Sequence, residues 1–564
     1  MRKLLRRISR PSHASASQDT FQIDIDPCMT SLSHLATEIR NPTAVVRVDV
    51  QGATQWKEIR HTMGHNAVVD DDAASGKKLF RIASLSKPLI NLVYCIIIED
   101  NTTVTGVRRL DWDTDAFVFY NSLCNVDEPK IEIHTGGPKI DELLLHRNAF
   151  ADINRFLFAP DGTFMASGDH FIKYIPNIPG QAFHSYTSNS VQYSNANHIF
   201  AVLILEKMFR RDIESIMREY VFSRFGMDST TTDLTLLDDE RKSALGPILR
   251  GRRVSGDPSR CDEIHTDLLG DTSIASACFG TWSCADDLAG LLLQLIDLRT
   301  GDKGTSGNKA ISKKAAEAFF NKRAQIEEKA YDSTFAGLLC DTTSEWMVGD
   351  SPDRLSRPDA LYTLGSYCEK GKVEPQKIYS KGGVVDGFTS RLILAPEHRV
   401  CIVVLTNSTG PVDFSSHVAQ CILQEVLGLE ERHEIAEKVM ENLDALCRPW
   451  RDLESQDEDL GAWPDPIDKF VGTYRNRLVG YDLKISPDSD AIFHTGVPRK
   501  SGKMTVRARK STIRLFPGPQ GFSIERLAEA GWKNLTLDWQ EEEGRKVLAC
   551  GKGLTDRYFQ VRDE

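Results

Sequence analysis

Long apolar runs are missing from this sequence. The longest strongly apolar stretch covers roughly residues 89–98, and Asn91 interrupts it, whereas a membrane-spanning helix needs about 20 such residues. Residues 1–10 are basic but lack the apolar segment of a secretory signal. Ser and Arg dominate before the first acidic residue, Asp19, which is also compatible with a mitochondrial transit peptide. We therefore expect an intracellular protein that is not secreted and has no membrane span, with the cytoplasm favoured and the mitochondrion as the alternative.

Clustered metal ligands are missing as well. The twelve cysteines are spread over the chain with no C-x-x-C pair and no combined Cys/His set, so neither a metal site nor a cofactor is predicted. The sequence also has no G-x-S-x-G elbow, no H-E-x-x-H helix and no P-loop. Isolated thiols fit a reducing compartment better than an oxidising one.

Positive charge is in deficit. The chain has 69 Lys and Arg against 80 Asp and Glu, a formal net charge of -11, so a nucleic-acid partner is not expected. Its 564 residues, 41% of them hydrophobic and 26% charged, have an ordinary globular composition. That length exceeds one typical domain and predicts a large domain with at least one smaller one.

Hydrophobic periodicity and turn residues divide the chain into four segments. They are a basic tail (1–30), a main domain (31–447), a polar, Pro-containing linker (448–466) and a β-rich C-terminal domain (467–564). Within the main domain the pattern predicts a hairpin, 390–395 with 400–406, and helices over 85–99, 197–217, 284–298 and 416–447. Residues 121–182, rich in Gly, Asp, Asn and Pro, are interpreted as an insertion with some helix.

The pair Ser84 and Lys87 is the first candidate for chemistry. Residues i and i+3 share one face of a helix, so the hydroxyl and the amine are expected to converge near the helix start. Backbone N–H groups at that start favour a developing oxyanion. A lysine serves as the base when burial or neighbouring cations lower its pKa. The S-x-x-K pattern recurs at Ser75 and Ser306, but only Ser84 lies between a strand-like segment and an apolar helix.

Two later motifs supply further polar groups. Tyr193 and Asn195 precede a predicted helix; a tyrosine becomes a general base when cations stabilise its phenolate. Lys381 and Gly383 precede the strand predicted at 390–395; glycines let a backbone run close beside a ligand. Each motif alone also has a structural interpretation: a capping serine with a solvated lysine, a packed tyrosine at a helix start, or a simple turn.

In this order and at these spacings, the three motifs resemble the signature of serine β-lactamases and penicillin-binding proteins. Segments such as 80–90, 280–291 and 382–407 are similar to the class C β-lactamase-related family, which also includes esterases, D-aminopeptidases and lovastatin-type acyltransferases. The resemblance implies an α/β (α+β) serine β-lactamase/transpeptidase-like fold, with an antiparallel sheet flanked by helices and an all-helical subdomain. The C-terminal segment resembles the small, all-β, lipocalin-like domain often appended to this family.

The resemblance also implies roles for single residues. Ser84 becomes the acylated nucleophile, and Lys87 accepts its proton. Tyr193 carries a proton to the leaving group and activates the attacking water or alcohol. The remaining assignments concern substrate binding and electrostatics: Asn195 binds substrate and tethers the base, Lys381 keeps the site cationic, Gly383 lets the strand approach, and the N–H groups of Ser84 and Val384 form the oxyanion hole.

Four departures from the family pattern stand out, the first being Arg147, Asn148 and Ala149 after His146, where the family usually has Thr-Ser-Gly. Gly382 replaces the usual threonine after Lys381 and removes a hydroxyl that β-lactamases use on the substrate carboxylate. Phe279 stands where the family has glycine and is expected to narrow a pocket wall. A second Gly-Gly pair, Gly136 and Gly137, comes before Tyr193 in the chain and is interpreted as part of the insertion.

The sequence therefore predicts a serine hydrolase or acyltransferase acting on a small-molecule carboxylic ester, thioester or amide, with a specialised-metabolite pathway suggested by analogy. One alternative is a D-amino-acid amidase, a peptidase or a weak β-lactamase. Another, of a different class, is a non-catalytic scaffold on the same fold. The acyl donor, the acceptor and the oligomeric state stay open.

Overall fold

We describe the fold from a computed structural model, which defines residues 25–41, 43–51, 56–64, 76–103, 107–133, 136–147, 150, 157, 167–174, 193–254, 256–257, 260–264, 274–300, 310–328, 333–337, 342–344, 378–385, 387–396, 398–426, 435–448, 451, 467–476, 480–487, 490–494, 501–509, 512–517, 536–542, 545–549 and 557–561. Its helices are α1 (Asp26–Glu38), α2 (Ser86–Glu99), α3 (Ala116–Leu123), α4 (Ile140–Leu144), α5 (Gly168–Tyr174), α6 (Asn195–Phe209), α7 (Ile213–Met217), α8 (Ser223–Phe225), α9 (Asp239–Ala244), α10 (Ala285–Thr300), α11 (Lys313–Asn321), α12 (Phe414–Val426) and α13 (Ile435–Glu441). None of these helices has the length and apolarity that crossing a bilayer requires.

The strands are β1 (Ala44–Gln51), β2 (Trp56–Met63), β3 (Phe80–Arg81), β4 (Arg252–Val254), β5 (Cys261–Glu263), β6 (Trp282–Ser283), β7 (Arg323–Glu328), β8 (Ser333–Gly337), β9 (Thr342–Ser344), β10 (Ile378–Val385), β11 (Phe388–Ala395), β12 (Val400–Thr406), β13 (Ser408–Thr409), β14 (Gly472–Arg475), β15 (Asp482–Ile485), β16 (Asp490–His494), β17 (Ser501–Arg509), β18 (Thr512–Pro517), β19 (Thr536–Glu542), β20 (Arg545–Ala549) and β21 (Arg557–Gln560). Eight of them form the main antiparallel sheet in the order β2-β1-β12-β11-β10-β9-β8-β7.

Helices cover both faces of this sheet around its central strands. Because successive side chains in a strand point to opposite faces, Leu392 and Leu394 join one buried cluster, to which α2 and α6 contribute. Ile393 and Ala395 join a second cluster, to which α1, α12 and α13 contribute. Every residue of β11 and β12 is buried, which explains the nearly continuous apolar run of β12, whereas β11 also buries Thr389, Ser390 and Arg391. The predicted mixed fold, an antiparallel sheet flanked by helices, is confirmed.

The C-terminal strands β14 to β21 form a closed barrel. Each strand pairs with the next, and the last returns to the first, where Tyr474 is paired with Gln560. Closure removes the unpaired edges that an open sheet would expose. Tyr481 of the barrel packs against His170 of α5, with ring centroids 5.1 Å apart. The predicted C-terminal strands are present, and the resemblance of this barrel to a lipocalin-like domain stays a prediction.

Two predicted helices are wrong in extent. The helix predicted over 197–217 is divided into α6 and α7, because Arg210 adopts a left-handed conformation (φ 53°) and Asp212 caps the next helix through the N–H of Ser215. The segment 416–447 likewise contains the separate helices α12 and α13. Helix α1 begins at Asp26, inside the predicted tail. Residues 1–24, most of the predicted linker and much of the predicted insertion lie outside the described residues.

Candidate active site

Ser84 lies in a tight turn between a short strand and a buried helix. β3 pairs with β6, and a 3₁₀ turn over Ala83–Leu85 then leads into α2. Ala83 has φ 50°, a left-handed conformation that costs a residue with a Cβ about 1–2 kcal/mol. The hydroxyl of Ser86 donates to the Ala83 carbonyl oxygen at 2.6 Å and braces this turn. Backbone strain of this kind is typical of functional sites.

Lys87 lies one helical turn beyond Ser84. Its Nζ donates to the Ser84 hydroxyl oxygen at 2.8 Å and to the carbonyl oxygen of Cys278 at 3.3 Å. The side chain is fully buried in α2. The i, i+3 spacing seen in the sequence therefore brings the hydroxyl and the amine together, with the π-helical turn Ser276–Gly280 holding the amine from the other side.

Tyr193 reaches the same hydroxyl from the segment before α6. Its Oη lies 2.7 Å from the Ser84 Oγ and donates to the Asn195 Oδ1 at 3.3 Å. The Nζ atoms of Lys87 and Lys381 lie 5.1 Å and 5.3 Å from the centroid of its ring. Tyr193 is 39% exposed, so a substrate can reach the phenol. The positive charge of Lys381, and that of Lys87 once it has taken a proton, favours negative charge on the phenol oxygen.

Strand β10 brings Lys381 and Gly383 to the turn that carries the serine. A Cβ on Gly383 would lie 2.6 Å from the Ile82 carbonyl oxygen and 3.0 Å from the Ser84 nitrogen. The hydroxyl of Ser390 on β11 donates to the same Ile82 carbonyl at 3.0 Å. Only glycine permits this approach, and Val384 follows directly in the strand.

The structure defines the surroundings of Phe279, Gly382 and Gly137. Phe279 is buried, and its ring centroid lies 5.7 Å from the Lys87 Nζ, so its ring lies beside the predicted base. A Cβ on Gly382 would lie 3.3 Å from the guanidinium carbon of Arg391. Arg391 donates to Ser380 at 3.2 Å and to Ser416 at 2.8 Å, so it is held across the glycine. The amide of Gly137 donates to Asp115 at 2.7 Å, at the start of α3.

Sequence reasoning missed His146, Ser390 and the Cys278 carbonyl as parts of this region. The His146 ring packs against Tyr193 with centroids 4.6 Å apart, and its Nδ1 accepts the N–H of Ser194 at 3.2 Å. Burial, followed by the charges of Lys87 and Lys381, lowers the pKa of His146 well below its usual range. No sequence motif linked His146 to Tyr193.

No group of three or more His, Cys, Asp or Glu side chains within the described ranges is arranged to hold a metal ion. The nine cysteines in those ranges are free thiols. Burial raises the pKa of the Cys278 thiol to about 12, so the thiol stays protonated and is a poor nucleophile. The hydroxyl of Ser84 therefore stays the predicted nucleophile.

Comparison with known proteins identifies one family model, described as Beta-lactamase, that matches residues 37–424. The chain is similar to the octameric penicillin-binding protein homologue from Pyrococcus abyssi, with 13% identity, 95% of this chain and 100% of that chain covered and a TM-score of 0.48. It is also similar to the β-lactamase from Sulfitobacter sp. EE-36 (18% identity, 74% and 100% covered, TM-score 0.46) and to the D-amino acid amidase from Ochrobactrum anthropi SV3 (14% identity, 74% and 99% covered, TM-score 0.45). No curated protein matches the sequence.

Proposed function

The chain belongs to the β-lactamase family of serine hydrolases, and on this premise we propose that it transfers acyl groups through an acyl-Ser84 intermediate. The observation that carries the proposal is the position of the Ser84 hydroxyl between an amine and a phenol, each of which can accept or donate a proton. The Ser84 Oγ lies 2.8 Å from the Lys87 Nζ and 2.7 Å from the Tyr193 Oη. A nucleophile and its base within hydrogen-bond reach of each other are the geometric requirement for covalent catalysis.

In the first half-reaction, the Lys87 amine takes the proton of Ser84 as Oγ attacks the carbonyl carbon of the substrate. Burial and the nearby Lys381 favour the neutral amine that this step requires. The negative charge on the former carbonyl oxygen is stabilised by the N–H groups of Ser84 and Val384. Tyr193 then donates a proton to the leaving oxygen, sulfur or nitrogen, and the bond to that atom breaks, which leaves the acyl group on Ser84.

In the second half-reaction, Tyr193 accepts a proton from the attacking water or alcohol. The new bond to the acyl carbon forms as the bond to Oγ breaks, and the proton held by Lys87 returns to Ser84. Water gives a carboxylic acid, and an alcohol gives a new ester. Asn195, whose amide oxygen accepts from Tyr193 at 3.3 Å, orients the phenol between the two half-reactions.

Esters and thioesters are the proposed substrates, and an alcohol is the proposed acceptor in a specialised-metabolite pathway. Gly382 supplies no hydroxyl for a substrate carboxylate, and the Arg391 guanidinium lies where a longer side chain would begin. Arg391 is itself held by Ser380, Ser416 and Asp413, so the missing hydroxyl at position 382 supports esters over β-lactams as substrates.

A substrate panel tests the proposal. Purified wild type and Ser84→Ala are assayed with p-nitrophenyl esters and acyl thioesters, with and without a small alcohol, and with nitrocefin and D-Ala-p-nitroanilide. We expect Ser84-dependent turnover of esters or thioesters and formation of the acylated alcohol. Ser75→Ala and Ser306→Ala, at the other two S-x-x-K patterns, are the matched controls and are expected to keep activity. Turnover of nitrocefin or the anilide well above that of esters overturns the substrate assignment, and full ester turnover by Ser84→Ala overturns the mechanism.

A further inference from the structure

We propose that His146 is a positioning residue for the acyl transfer, which holds Tyr193 at Ser84 through contacts to the ring and to the next main-chain amide. The inference rests on the proposed function, in which Tyr193 delivers and accepts protons. It concerns a residue that acts on Tyr193 rather than on the reacting atoms.

The first observation is that His146 contacts both the ring of Tyr193 and the main-chain amide of the next residue. Its ring lies 4.6 Å from the Tyr193 ring, centroid to centroid, at an interplanar angle of 37°. Its Nδ1 accepts the N–H of Ser194, the next residue, at 3.2 Å. One contact sets the plane of the phenol, and the other sets the backbone from which that side chain starts. Together they fix where the Tyr193 oxygen lies.

The hydrogen bonds around His146 also define its tautomer. The side-chain oxygen of Asn197 accepts the N–H of Phe150 at 3.0 Å, so the amide nitrogen of Asn197 is the atom that faces Nδ1 at 3.1 Å. Two donors therefore point at Nδ1, which carries no proton, and the ring proton lies on Nε2. A second proton, on Nδ1, would place an N–H donor against the donors of Ser194 and Asn197. It would also add a positive charge near Lys87 and Lys381.

A second histidine connects this arrangement to the helix of the nucleophile. The His198 ring lies 5.0 Å from that of His146, and its Nε2 lies 3.0 Å from the side-chain oxygen of Asn91. Asn91 follows Lys87 by four residues in α2 and therefore shares its helix face. Burial lowers the pKa of His198 well below its usual range, and His146, Lys87 and Lys381 lower it further. The two buried, uncharged rings thus link the Tyr193 ring to α2 through Asn91.

His146 has φ 56°, a conformation in which His and Asn are enriched. Asparagine at this position is therefore compatible with the backbone, keeps an acceptor near Nδ1 and removes the ring. Phenylalanine keeps a ring and removes the acceptor. His146→Asn therefore removes the ring contact, and His146→Phe removes the hydrogen bond to Ser194. If the His146→Phe variant fails to fold, His146→Asn still tests the inference.

The test compares His146→Asn and His146→Phe with Tyr193→Phe. A fluorophosphonate probe loses fluoride, which needs little proton delivery, whereas alkyl esters need a proton on the leaving alkoxide. We expect both His146 variants to keep probe labelling within about tenfold of wild type and to lose kcat/KM for alkyl esters about 10²-fold, with a smaller loss for p-nitrophenyl esters. An equal loss for all leaving groups, or no loss, overturns the inference.

His417→Asn is the matched control because His417 is a buried histidine on α12, on the opposite face of the sheet. It is expected to lower Tm without altering the leaving-group dependence.

A crystal structure of His146→Asn gives a readout that does not depend on activity: we expect the Tyr193 oxygen to move beyond hydrogen-bond distance of Ser84. An unchanged 2.7 Å contact overturns the inference. Wild type that takes no probe and turns over no ester overturns the proposed function instead, and the crystal structure still decides the role of His146.

Discussion

The phenol oxygen of Tyr193 lies 2.7 Å from the hydroxyl oxygen of Ser84, across 109 residues of sequence. The phenol belongs to the segment that enters α6, and the hydroxyl belongs to the turn before α2. Packing of these two helices in one buried cluster therefore fixes the distance between the two oxygens, which in the proposed mechanism exchange a proton. The contact gives Tyr193 a defined chemical task, which substitution can test.

Tyr193→Phe removes the proton carrier and keeps the ring. We expect kcat to fall by about 10²–10⁴-fold, the range for loss of a general acid or base. Tm should change little, because the phenol is partly exposed. The measurement is ester turnover with thermal unfolding as the control. Activity within a factor of three of wild type contradicts the assignment.

Lys87→Met tests the base. The methionine fills similar volume and removes a buried amine that donates to Ser84, so we expect no fluorophosphonate adduct on a folded protein. Lys87→Arg should not restore labelling, because a guanidinium stays protonated. Lys77→Met, at an exposed lysine shortly before the strand, is the control and should label normally. An adduct on Lys87→Met at the wild-type rate rules out Lys87 as the base.

Gly383→Ala tests the approach of β10 to the nucleophile. The added methyl would lie 2.6 Å from the Ile82 carbonyl oxygen, so the strand must move away from Ser84 and from the proposed oxyanion hole. We expect kcat to fall by about 10²-fold or more, as for a lost oxyanion donor. Gly290→Ala on α10, where nothing lies within 4 Å of the new methyl, should raise stability by about 0.5–1 kcal/mol. Unchanged kcat in Gly383→Ala contradicts the geometry.

Gly382→Thr restores the hydroxyl of the common Lys-Thr-Gly motif. Its Cβ would lie 3.3 Å from the Arg391 guanidinium, which is held by Ser380 and Ser416. We therefore expect a loss of about 1–3 kcal/mol in the free energy of unfolding and no gain of nitrocefin turnover. Urea unfolding and a nitrocefin assay check both outcomes. A stable variant with strong nitrocefin turnover shows that Gly382 alone separates this chain from a β-lactamase.

Glu206 gives the protein a defined pH dependence of stability. Burial raises its pKa from 4.5 to about 7, while the N–H of Ile213 opposes the shift. The folded state binds this proton more tightly, so the stabilisation is complete below about pH 4.5 and is lost as the pH rises through about 7. We expect Glu206→Gln to remove up to about 3 kcal/mol of pH dependence between pH 5 and pH 8. Equal slopes for wild type and variant in urea unfolding contradict this assignment.

Local chemistry explains which parts of the site could be predicted. The Ser84 and Lys87 pair follows from helix periodicity, and Tyr193 and Lys381 follow from the order of the motifs. The Cys278 carbonyl, Ser390 and His146 could not be found in this way. Each acts through a backbone or ring contact that only the tertiary fold brings about. Their roles, like those of the predicted residues, stay proposals until tested.

The fold likewise has features that the local sequence predicts and features that it does not. β11 and β12 were predictable because both faces are buried and every residue is apolar or closely packed. The end of α6 was not, since the left-handed Arg210 and the Asp212 cap interrupt an otherwise unbroken apolar pattern. Closure of the barrel depends on β14 meeting β21, a pairing between segments more than 80 residues apart. Strand patterns record local alternation and carry no information on such a partner.

Intact-mass measurement of wild type and Ser84→Ala after treatment with a fluorophosphonate tests the central claim most directly. The account predicts one adduct on wild type, mapped by peptide sequencing to Ser84, and none on Ser84→Ala. An adduct that persists on the variant, or a folded wild type that takes none, contradicts an activated nucleophile at Ser84.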